Sequence, residues 1–274
     1  MTLRALVARS SSHGSSFLPL LAGLIGLAWL TLWIWATSPY ARYLDHGQWA
    51  EIGIAASICA AIPGGSIVVP LLLYMAGWLL MSAAMMLPTT MPLIQIFDRL
   101  TAARSDRRRL GMLVMVGYLG AWSVFGGAVY VLDWLLHELA RASSWLTVNG
   151  WIVGAAVLAT AGLFQFSRLK YHCLDKCRAP LGFVMQHWRG AAHGRHALLL
   201  GVHHGLYCVG CCWAIMLLLF VVGAGSVGWM LALGAVMAVE KNMPWGRKLS
   251  QPLGFALLVW AAFILLQQAP AAIL

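Results

Sequence analysis

The chain has 274 residues, 61% hydrophobic and only 9% charged, with eighteen bases against eight acids for a net charge of +10. A soluble domain carries about 25% charged residues. So few charges cannot clothe a globule of this length, which excludes a water-soluble fold and makes lipid the solvent for most of the outside. The basic excess would suit nucleic acid in a soluble protein, but here it follows the loops between apolar segments; the expected partner is the bilayer, and nucleic acid is not one.

Residues 1–16 carry Arg4 and Arg9 and a Ser/Gly stretch, read as a flexible cytoplasmic segment. The apolar run from Phe17 to about Ser38 is too long for a signal-peptide core and reads as a retained first span. A spanning helix needs about 20 apolar residues, and six further candidates follow at about 66–97, 110–136, 151–166, 197–223, 227–239 and 252–269. The second of the seven holds Pro70, Pro88 and Pro92, which predicts a kink or an unwound end. The sixth is short, and a re-entrant segment is its alternative. The polar piece 39–65 is mildly amphipathic from 49 to 61, as a surface-lying helix would be. The fold class is therefore all-α: a polytopic transmembrane bundle of about seven helices, forming one domain over 17–274.

Fourteen tryptophans suit the headgroup boundary. With the N-terminus inside, the cytoplasmic pieces are 1–16, 98–109, 167–196 and 240–251. They hold sixteen of the eighteen bases, leaving Arg42 and Arg141 outside, as the positive-inside rule asks.

Metal-ligand side chains are concentrated. Five of the six cysteines lie between 173 and 212, and Cys59 alone lies elsewhere. The expected third inner loop carries His172, Cys173 and Cys177, and the next helix carries His203, His204, Cys208, Cys211 and Cys212. His204, Cys208 and Cys211 stand at i, i+4 and i+7 on one helical face, with Cys212 at its edge and His203 about 100° away. The second helix carries Met81, Met85 and Met86; Met91 and Met85 fall about 9 and 18 Å from its inner end at 1.5 Å per residue, levels that match His204 at about 10 Å and Cys211 at about 20 Å in their own helix. Methionine is more often core filler than ligand. Glu240 ends the sixth apolar segment, beside a Lys241 that could simply neutralise it.

Polar groups at membrane depth are costly and favour function over accident, although cysteine also packs as a small hydrophobe. Thiols facing the cytoplasm stay reduced. Reduced Cys with His and Met favours copper as Cu(I), with zinc or iron as alternatives.

At these residues the sequence resembles a bacterial family of predicted metal-binding integral membrane proteins that carry a domain of unknown function. The matching strings are Met81–Pro88, His172–Phe183 with its Cys-Arg-Ala-Pro-Leu-Gly-Phe, Gly205–Met216 with its Tyr-Cys-Val-Gly-Cys-Cys-Trp, and Glu240-Lys241, within about 70–250. The resemblance implies a multi-pass protein of the bacterial inner (plasma) membrane that binds a metal; it carries no established reaction.

Four readings follow. The first is metal handling (binding, insertion or translocation), with a metallochaperone or membrane-complex partner. The second is a metal-dependent membrane oxidoreductase, the third a thiol-disulfide enzyme using Cys208 and Cys211, and the fourth a structural subunit of a membrane complex. Nucleotide-binding and hydrolase readings lack a phosphate loop or a nucleophile elbow.

Overall fold

The structure, a computed structural model, describes residues 17–37, 65–143, 145–146, 149–188, 193–222 and 226–268. The N-terminal segment 1–16, the amphipathic stretch 49–61 and Cys59 lie outside the described residues. Among those residues the regular structure is helical, in nine α-helices: α1 Phe17–Thr37, α2 Gly65–Leu100, α3 Arg107–Ala142, α4 Trp151–Phe164, α5 Arg168–Arg178, α6 Pro180–His187, α7 His193–Val222, α8 Val227–Asn242 and α9 Ser250–Gln268. A single 3-10 turn, Gly246–Leu249, precedes α9.

Each of the seven apolar segments forms a helix. Five (α1, α2, α3, α7 and the 3-10 turn with α9) are long and apolar enough to cross a membrane. A sixth qualifies if α4 and α5, bent by 63° at their junction, count as one broken span. The 16 residues of α8 reach only about 24 Å at 1.5 Å per residue, short of a hydrocarbon core of about 30 Å.

Two stretches are more continuously helical than the sequence alone suggests. α2 runs unbroken through Pro70, Pro88 and Pro92. The hydroxyls of Thr89 and Thr90 donate to the Met86 and Leu87 carbonyls at 2.8 Å, within the turn between Pro88 and Pro92. The inner piece 167–196 is not a plain loop but contains α5 and α6. Ser167 caps α5 by accepting from the Lys170 amide at 3.1 Å, and Pro180 opens α6. α5 is amphipathic and turns Lys170, Cys173 and Leu174 into the bundle.

Small residues set the closest crossings. A Cβ at Gly201 would stand 2.0 Å from the Val114 carbonyl oxygen, and one at Gly205 2.7 Å from the Ala121 Cβ. Gly117 is pressed in the same way against the Leu198 carbonyl. α3 and α7 therefore meet backbone to backbone, as small-xxx-small pairs allow. α2 joins them through Trp78, whose indole covers Gly126 and donates to the Trp122 carbonyl at 2.9 Å. α4 and α9 cross at Gly162 and Gly254, and α8 lays Gly234 on Met85 of α2.

The basic segments gather at one end. Arg107 grips Asp98 with two bonds of 2.5 and 2.6 Å, closing the α2–α3 turn. Trp188 stands edge-on to Phe97 at 5.0 Å. Arg178 donates to the carbonyls of Glu240 and, at 3.0 Å, Pro244. Arg247 pairs with Asp175 at 3.3 Å and lies over the Tyr171 ring.

Candidate metal centre

The thiols of α7 face inward because the helix is clasped by α3 on one side and by α5 and α8 on others. Cys208 is fully buried; its Sγ lies 2.8 Å from Lys241 Nζ and 2.9 Å from Tyr118 Oη. The same amine reaches Thr89 Oγ1 at 3.2 Å and Met86 Sδ at 4.0 Å. α3 and α8 thus meet the Cys208 sulfur of α7 directly, and α2 meets it through the Lys241 amine. One turn further, Cys211 Sγ lies 3.2 Å from the Cys208 carbonyl oxygen, 3.4 Å from Cys212 Sγ and 4.0 Å from Cys177 Sγ on α5. Cys173 is buried against Gly210, where an added Cβ would stand 2.6 Å from its sulfur. All five described cysteines are free thiols.

A metal–sulfur bond of about 2.3 Å puts two sulfurs that share one ion about 3.8–4.6 Å apart. The Cys177–Cys211 separation of 4.0 Å falls in that range, and the Cys211–Cys212 separation of 3.4 Å is a few tenths short. Among the described residues, no group of three or more His, Cys, Asp or Glu side chains is arranged to hold an ion as it stands. The sulfurs are instead engaged with one another, with a carbonyl and with Lys241.

Glu240 and Lys241 do not neutralise each other. Successive helical residues diverge by about 100°, so the two enter different networks. Glu240, 1% exposed, accepts from Lys170 Nζ at 2.8 and 2.9 Å and from Ser250 Oγ at 2.7 Å. Lys170, itself fully buried, also donates to Gln165 Oε1. This network ties the α4–α5 bend to the junction of α8 and α9. Lys241 finds its partners among a thiol, a hydroxyl and a thioether, so its charge can be balanced only by the thiols it touches. The Lys241–Cys208 pair is net neutral whichever partner holds the proton, which is what an apolar interior demands.

The structure brings together Cys177, Cys208, Cys211, Cys212 and Met86. His204 lies one turn from Cys208; it is buried, with its ring stacked on Tyr118 at 5.8 Å and edge-on to Phe183 at 5.4 Å. His203 points elsewhere, exposed and near His187 at 5.1 Å, as its angular offset requires. His172 is exposed, 6.1 Å from the Tyr207 ring. Met81 and Met85 are core side chains, and Glu240 is committed to Lys170.

Sequence reasoning missed Lys170, Tyr118 and Thr89. Lys170 falls among the bases of the 167–196 piece, where the positive-inside pattern accounts for it as topogenic. The signal was available in the i, i+3, i+4 and i+7 pattern of Lys170, Cys173, Leu174 and Cys177, which marks one face of a helix. Tyr118 and Thr89 carry no such signal, because only the helix crossings bring Tyr118 to Cys208 and Thr89 to Lys241.

The bundle thus holds soft sulfur donors and a buried amine at its centre. Residues 75–264, from α2 through most of α9, match PpoB2, described as copper chaperone. The match covers well over half of the chain, and the protein belongs to this family. No curated protein and no solved structure matches it.

Proposed function

We propose that the protein is a multi-pass protein of the bacterial plasma membrane, N-terminus in the cytoplasm, that takes up Cu(I) on a sulfur cluster inside its bundle and passes it to a partner protein. Copper here is cargo. Cys177, Cys211 and Cys212 supply the first thiolates, with Cys208 and Met86 one step further along α7 and α2. The observation that carries this reading is the meeting of Cys177 with Cys211, 4.0 Å apart on separate helices and 34 residues apart in the chain. A modest turn of the Cys211 side chain, releasing its bond to the Cys208 carbonyl, widens its spacing to Cys212 toward that of two sulfurs on one ion. Thiolate and thioether donors favour Cu(I) over harder ions, and membership of a copper chaperone family agrees.

Two features support the membrane and its sidedness. Five helices have the length and apolarity to cross. The segments 98–109, 168–188 and 240–250, rich in bases, also share one end of the bundle, as a cytoplasmic face would.

The test is elemental analysis of detergent-purified protein from copper-supplemented cells. Wild type is expected to retain copper, and Cys177→Ser/Cys211→Ser to lose the share that the thiol cluster holds. Equal, near-zero copper in both would remove the proposal.

A further inference from the structure

We propose a second Cu(I) station, formed by His204 and Met115, separated from the thiol cluster by the Tyr118 side chain. The inference rests on the copper reading above and divides its path in two.

His204 is only 4% exposed, and its Nδ1 is buried with no hydrogen-bond partner. An orphaned imidazole nitrogen in an apolar interior loses its water without replacement, so it calls for a ligand. The ring lines a small cavity together with Met115, Thr90, Tyr118, Leu87 and Gly201. The Thr90 hydroxyl proton is committed to the Leu87 carbonyl. The nitrogen and sulfur donors around the cavity are one imidazole and one thioether, beside the Thr90 and Tyr118 oxygens and hydrocarbon. A hard divalent cation would need several oxygen ligands, and zinc would need a fuller shell of nitrogen and thiolate. A soft monovalent ion is served by neutral nitrogen and sulfur donors.

The two donors are presented by the tightest crossing in the bundle. Gly201 lies against the Val114 carbonyl and the Tyr118 amide, and Gly205 against Tyr118 and Ala121. Met115 sits between those contacts on α3, and His204 sits between the two glycines on α7. Their shared wall is Tyr118, whose ring stacks on His204 at 5.8 Å while its hydroxyl stands 2.9 Å from Cys208 Sγ. His204 is about 6 Å along the helix axis from Cys208, four residues at 1.5 Å each. An ion at one station is therefore a short step from the other, and no change of oxidation state is needed.

Anaerobic titration with Cu(I) against a chromophoric Cu(I) chelator tests this. The proteins are wild type, a variant with all six cysteines changed to Ser, and Met115→Leu and His204→Gln in the otherwise native chain. Wild type should take up one equivalent more than the thiol cluster alone holds. The cysteine-free variant should keep one equivalent, with nitrogen and sulfur neighbours in its X-ray absorption spectrum. Met115→Leu, nearly isosteric, should lose one equivalent while leaving the thiol site filled, and His204→Gln should match it. Full wild-type uptake in both native-chain variants would overturn the proposal, as would a cysteine-free protein that folds by circular dichroism and binds nothing. Equal single-equivalent binding by wild type and cysteine-free protein would instead overturn the thiol reading and leave this site standing.

Discussion

At the scale of single residues, the interior holds charge only where a partner meets it. Removing one member of a buried ion pair leaves the other uncompensated, at a cost of about 3–5 kcal/mol, whereas replacing both with apolar residues is often neutral. Glu240→Leu should therefore lower the thermal midpoint of the detergent-solubilised protein sharply, because Lys170 loses the two bonds of 2.8 and 2.9 Å that neutralise it. The double variant Glu240→Leu/Lys170→Met should recover most of that loss. A double variant no more stable than Glu240→Leu alone would mean that Gln165 and Ser250 suffer more from the change than the charges do. At Lys241 the partners are a thiol, a hydroxyl and a thioether. Lys241→Met should leave stability within about 1–2 kcal/mol, since a flexible side chain of similar size fills the same space, and thermal unfolding checks it.

At the scale of elements, the α3–α7 crossing depends on the absence of side chains. Gly201→Val cannot be accommodated by a rotamer change, because a Cβ there meets the Val114 backbone at 2.0 Å. Loss of the monodisperse peak in size-exclusion chromatography is expected. Gly77 on α2 has nothing within 4 Å of its would-be Cβ. Gly77→Ala should accordingly hold or raise the thermal midpoint, by up to about 1 kcal/mol of helix propensity. The helices themselves were legible in the chain because long apolar runs leave little choice of secondary structure. α5 was not, since five of its eleven residues are Arg, Lys or Asp and that polarity reads as a loop until the face carrying Lys170, Cys173 and Cys177 is drawn on a helix. The prolines of α2 leave the helix continuous from Gly65 to Leu100, and the neighbouring helices packed against it are not visible along the sequence.

At the scale of the whole molecule, the proposed orientation makes a topological forecast. Reporter fusions after Ser105 and after Trp245 should both read as cytoplasmic, and a fusion after Ala142 as external. A cytoplasmic signal from all three would overturn the arrangement. Much of the candidate site could be foreseen, because His204, Cys208 and Cys211 recur at helical spacing whatever surrounds them. Their company could not. Tyr118 and Lys241 reach Cys208 from two other helices, with Thr89 of a third behind the amine, and such meetings are decided by crossings rather than by spacing along one helix.

One peptide plane joins residues 240 and 241, and it makes α8 a see-saw. The carboxylate on one arm is moored to the α4–α5 bend, and the amine on the other rests on sulfur. Any roll of α8 that lifts the amine clear of Cys208 must swing the carboxylate against its mooring. A ligand at the thiols that turned α8 in this way would pull, through a single residue step, on the far bank of the bundle.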